Sequence, residues 1–259
     1  MKMAKSEQSA AISYRFQRYF ESLLTGHYLM KQSHRRDPVR VFFNQGCLDS
    51  ACGLHVCAAI CVIFDLAKSI ALEDMAKRQY GMPALVFQAF EKTYFTGVNP
   101  KEFVSLMESL KQPLSLTLRE AASGDLDRWL VDCLMRGELV AIVTASAKNT
   151  SRNKHWSLAV GIEGLTVGRE HRPDTILMLC PSSAEPNFRP HNARLKVVCS
   201  GPGSDSGKAA RRLYQANATS SSHKRLIWQY ESESFASEAV VLVAAVRIRK
   251  KAKKSGSAD

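Results

Sequence analysis

A chain of 259 residues that is 45% hydrophobic and 23% charged has the make-up of an ordinary globular protein and can bury one substantial core or two small ones. No apolar run is long enough to span a bilayer and the N-terminus, Met-Lys-Met-Ala-Lys-Ser-Glu-Gln, has no apolar secretory stretch, so no membrane span is expected and the expected compartment is cytoplasmic. The net charge of +12 raises nucleic-acid binding, but its cations are scattered (Arg35, Arg36 and Arg40; Lys208 to Arg225; Arg247 to Lys254) rather than set in one stripe among aromatics, which argues against that class.

From Ala10 to Met30 the apolar residues Ile12, Phe16, Tyr19, Phe20, Leu23 and Leu24 recur at helical spacing, which predicts an amphipathic N-terminal helix and link over 1–37. Val39 to Phe43 reads as a short strand. Cys52 to Leu66 is apolar nearly all round and predicts a helix buried on most sides, with Asp49 or Ser50 as its cap. Further helices are expected at about 71–79, 83–93, 100–110 and 125–136, the third opened by Asn99-Pro100. Beyond Gly137 the pattern turns to strands: Leu139–Ala145, Trp156–Ile162, Thr175–Leu179, Leu195–Cys199, Leu226–Tyr230 and Val240–Arg247. Helices first and strands later, with short reversals, predict an α+β fold with a mainly antiparallel sheet. That body would span 38–249, with a polar mobile insertion at about 200–224 and a basic disordered tail at 250–259.

Seven cysteines without regular spacing fit free thiols better than a disulfide framework. Cys47, Cys52, His55, Cys57 and Cys61 crowd one stretch, but Cys57 and Cys61 fall inside an apolar helix, where core packing explains them more simply than zinc. Cys52 opens that helix, where free N–H groups and the helix dipole favour a thiolate. Gly53 leaves room for a substrate backbone, and Gln45 offers an amide N–H beside the Cys52 N–H to a tetrahedral oxyanion.

Gln45, then Cys52-Gly53 opening an apolar helix, then Lys154-His155-Trp156 opening an apolar strand that ends in Gly161, resembles the papain-like cysteine peptidases. It is closest to the double-glycine leader peptidases of bacteriocin export and their stand-alone bacterial relatives. The resemblance implies a papain-like α+β fold in which a buried helix led by the cysteine packs on the sheet. It implies a Cys52–His155 thiolate–imidazolium pair, Gln45 at the oxyanion, and hydrolysis of a peptide, isopeptide or related amide without metal or organic cofactor. The family's third catalytic residue, usually Asp, aligns with Cys180 in Leu179-Cys180-Pro181-Ser182. Ser182, Asp174 and Asn187 are the other candidates for orienting the imidazole. The substrate would be a peptide or protein. A silent domain that binds such partners is the alternative.

Overall fold

The computed structural model describes residues 13–33, 36–46, 49–151, 154–198 and 226–251. The expected insertion at 200–224, the tail beyond Lys251, and Cys47 and Cys199 lie outside those residues.

Strands, not a helix, come first among the described residues. β1 (Ser13–Tyr19) and β2 (Leu23–Leu24) run through the described part of the stretch whose spacing predicts a helix, and β3 (Met30–Ser33) and β4 (Arg36–Arg40) follow in the expected link and short strand. The physical reason is an available sheet edge. β7 (His155–Val167) is 13 residues long, and β1 pairs antiparallel with its second half from Ser13–Val167 to Tyr19–Gly161. Backbone pairing along that edge outweighs a weak local period, as tertiary context commonly does. Arg15 fastens β1 further, donating to Glu163 and, at 2.8 Å, to Asp174.

Among the described residues five α-helices follow: α1 (Cys52–Ile63), α2 (Ser69–Glu73), α3 (Gly81–Phe90), α4 (Pro100–Ser109) and α5 (Leu126–Met135). The all-round apolar character of α1 has the expected result, since eleven of its residues are buried. Asn99 caps α4 in a complete capping box, its side chain accepting from the Glu102 N–H while Glu102 reaches back. Neither Asp49 nor Ser50 caps α1 by side chain; Ala51 is the N-cap residue. The helix expected at 71–79 is shorter, with a 3₁₀ turn over Met75–Lys77. A further strand, β5 (Leu114–Glu120), lies where none is predicted.

β6 (Leu139–Ser146), β7, β8 (Glu170–Leu179), β9 (Ala193–Val197), β10 (Trp228–Ser232) and β11 (Glu238–Lys250) form an antiparallel meander in chain order. β11 returns to pair with β6, which closes these six strands into a barrel, and β1 and β5 are extra strands on β7 and β11. This overturns the expected papain-like α+β arrangement of a helix-led body on a sheet. The frame is a closed barrel, and strand outweighs helix. The reason lies in long-range pairing: β6 meets β11 about a hundred residues further on, and nothing local in either strand announces closure. Lys250, expected to open the tail, is instead the last residue of β11, and the Lys251 N–H donates to the Pro113 carbonyl.

The barrel wall is buried on both faces, which is why β6 reads as a continuous apolar run. Val140 and Ile142, Ile162, Met178, Leu195, Trp228 and Leu242 meet in one cluster. Side chains from all six strands can converge only on the concave face, so this is the barrel interior, joined by α5 through Leu130 and Leu134. The opposite parity (Leu139, Ala141 and Val143; Trp156, Leu158 and Val160) packs outward against α1, α3 and α4. Among the described residues no helix is long and apolar enough to cross a membrane.

Candidate active site

Cys52 is the first residue of α1 and His155 the first of β7, and outward packing of α1 on β7 brings the two together at the barrel rim. Trp156 fixes the approach. Its indole stacks on Phe103 at 4.3 Å and donates to the Val98 carbonyl, while its backbone N–H points at the Cys52 sulfur from 3.5 Å. Gly53 makes the close fit possible, since a Cβ there would run into Val98. His155 bonds the sulfur of Cys180, just beyond β8, through Nε2 at 3.2 Å, and the Cys52 sulfur lies near the same ring. One imidazole therefore sits between two thiols, one on the helix outside the barrel and one facing its interior.

Cys180 is held from several directions. Asn192 accepts from its N–H at 2.7 Å and donates to its carbonyl at 2.9 Å, which fixes the backbone that carries the thiol. The Tyr230 hydroxyl donates to the sulfur at 3.2 Å, and Ser183 bonds that hydroxyl in turn. Burial would push the Cys180 thiol up, but hydrogen bonding and charge from His155, helped by Tyr230 and Ser183, bring it down to about 6. Burial would likewise lower His155, yet the bonds and charges of Cys180 and Cys52 raise it to about 10. Burial and the neighbouring Cys180 charge raise the Tyr230 phenol, which keeps it a donor. The favoured state is an imidazolium beside a thiolate.

The remaining candidates occupy the surrounding loop. Gln45 donates through Nε2 to the Asp49 carbonyl at 2.8 Å and accepts from Ser182 at 3.1 Å, so one amide hydrogen is left for an oxyanion. Its backbone N–H reaches the Pro181 carbonyl, tying the loop before α1 to the Cys180 segment. Asp49 accepts from the N–H groups of Gly46 and Ala51, which shapes the approach to the helix. Ser182 is thus turned to Gln45, Asp174 is paired with Arg15, and Asn187 is exposed. Of the four candidates for orienting His155, Cys180 is the one bonded to its ring. Cys57 and Cys61 are both fully buried inside α1, where the neighbouring Cys61 thiol and burial push Cys57 up, and His55 is half-buried with its pKa lowered by burial.

Beside His155 and Cys180 the barrel mouth opens into a cavity of about 270 Å³, lined also by Thr144, Tyr230, Phe235 and Glu238. A larger cleft of about 880 Å³ lies elsewhere, between β4, α2 and α3; no ring nitrogen or thiol lines it, so it is not the chemical centre. Tyr230, Asn192 and Glu238 are absent from the sequence-level site. Each is a lone polar residue within or beside a strand, and no local spacing marks it.

Neither protein-family models nor curated proteins give a match to this chain.

Proposed function

We propose that the chain hydrolyses a peptide, isopeptide or related amide bond, with Cys52 as nucleophile and His155 as acid and base. The observation that carries this reading is His155 bonded to Cys180 through Nε2 with the Cys52 sulfur near the same ring. A cysteine hydrolase needs a thiolate, an imidazole that accepts and returns its proton, and a fixed group on the far side of the ring. Cys180 stands where that fixed group is needed, and as a thiolate it opposes loss of the imidazolium. The Gln45, Cys52-Gly53 and His155-Trp156 segments resemble those of papain-like cysteine peptidases, and this likeness of segments supports the same chemistry.

In the reaction His155, having passed to Cys180 the proton the two share, takes the Cys52 proton as that sulfur attacks the carbonyl carbon and the carbonyl π pair moves onto oxygen. The Cys52 N–H and the free Gln45 amide hydrogen face that oxyanion. On collapse the C–N bond breaks and the amine leaves with the His155 proton, giving a thioester. A water then gives its proton to His155 and attacks the thioester. The C–S bond breaks, the acid is released, and the His155 proton returns to the Cys52 sulfur.

Cys52→Ala in the full chain should reduce hydrolysis of a quenched fluorescent peptide library to background. Turnover that survives this change would end the reading. One observation favours a second reading, in which the chain binds a peptide without cutting it. Cys52 is only 7% exposed, so a substrate has to reach a nearly covered sulfur. Peptide binding by a wild-type chain that cleaves no member of the library would decide for that reading.

A further inference from the structure

The cavity at the barrel mouth has a chemistry of its own. Its volume of about 270 Å³ falls just below the roughly 300–1,000 Å³ of pockets that take drug-sized ligands, so it suits a single side chain. Its floor is the thiol and imidazole of Cys180 and His155, and its wall carries Val240 and the half-exposed ring of Phe235. Glu238 is the one carboxylate among the described residues that line it. It lies two residues before Val240 on β11, on the same inward parity, and pairs across the ladder with Tyr230, whose hydroxyl holds Cys180.

Glu238 differs from the acids that arginine holds. Glu138, Glu163, Glu185 and Glu233 are each neutralised by arginine, whereas no ion pair reaches Glu238 among the described residues. In a chain of net charge +12, an acid left without a cation beside an open cavity is a place where a cation can dock. Charges more than about 8 Å away are largely screened at physiological salt. Direct contact inside the cavity is decided by Glu238 and by the face of Phe235, which also attracts cations.

We propose that this cavity receives the cationic side chain, Lys or Arg, of the substrate residue next to the scissile amide, with Glu238 reading its charge and Phe235 packing along its stem. The inference rests on the hydrolase reading for the word substrate, but the binding it describes does not need catalysis.

The test therefore uses the full chain with Cys52→Ala, which removes turnover from the measurement. Calorimetric titration compares two acetylated, amidated pentapeptides that differ only in a central arginine or citrulline, which are similar in shape and differ in charge. The arginine peptide is expected to bind about five- to tenfold more tightly, the combined scale of a partly exposed ion pair and a cation–aromatic contact. That preference should vanish when Glu238→Gln is added and invert with Glu238→Lys. Equal affinities, absence of binding by both peptides, or a preference unchanged in the Gln variant would each overturn the proposal. The hydrolase reading is judged separately, by turnover in the wild-type chain, so either can fail while the other stands.

Discussion

Glu138 and His155 sit near opposite ends of β6, and each is a charged group among several partners. Glu138, just before the strand, is bonded to Arg136 and Arg249 and lies 3.9 Å from Arg247. Burial would raise its carboxyl, but the arginine bonds and a bond from Cys133 hold it at about 2. His155 lies opposite Thr144 toward the other end of β6, and its partners are thiols. The difference lies in what the partners can do. Guanidinium groups keep their charge at any accessible pH, so Glu138 is locked and its cluster only stabilises the fold. The charge of a thiol depends on where the proton is, so the His155 cluster can pass one, and it borders a cavity that Glu138 does not.

The contrast can be broken by substitution at each end. His155→Ala should abolish turnover as Cys52→Ala does, whereas Glu138→Gln should leave it intact. A smaller effect is expected at Cys180, which acts through His155. Cys180→Ala should lower kcat about 10²-fold with KM little changed, on the scale of acid–base contributions. Cys180→Asp should restore most of it, because a carboxylate also holds the far side of the ring. A dead Asp variant would mean that Cys180 is itself the nucleophile.

At the other end, Glu138→Gln should cost about 1–3 kcal/mol of stability in urea titrations, discounted for its partly exposed arginines. A depressed folded pKa places this contribution above the ordinary value of 4.5, and it is lost as pH falls toward about 2. In the Gln variant the wild-type loss of stability between those values should shrink.

A further expected effect is the pH dependence of the His155 cluster. The raised His155 pKa contributes stability that is full below 6.5 and lost as pH rises through about 10. The lowered Cys180 pKa contributes stability that is full above 9.0 and lost as pH falls through about 6. Since the two describe one ion pair, the wild type should gain most between about 6 and 10, and Cys180→Ala should flatten its stability profile there. Equal profiles for the two chains would mean that no such pair exists.

The sequence carried local signals well and long-range ones poorly. The apolar girth of Cys52–Ile63, the Asn99-Pro100 cap and the six late strands all follow from the chemistry of neighbouring residues, and each is present. The meeting of Cys52 with His155 was legible because each opens an element whose apolar face needs the other. Closure of the barrel was not, because the β6–β11 pairing joins segments far apart in the chain. The strand character of Ser13–Tyr19 was hidden for a related reason, since it depends on a free edge of β7 that appears only in the fold. Asn192 and Tyr230 act on Cys180 from 12 and 50 residues away, and neither carries a mark of that role in its own surroundings.

The most direct test is to find which sulfur acts as the nucleophile. A peptide chloromethyl ketone applied to the full chain, followed by digestion and mass spectrometry, reports the modified cysteine. The proton relay through His155 requires the adduct on Cys52, with labelling lost in His155→Ala and kept in Cys180→Asp. An adduct on Cys180 in the wild type, or labelling indifferent to His155, would contradict it.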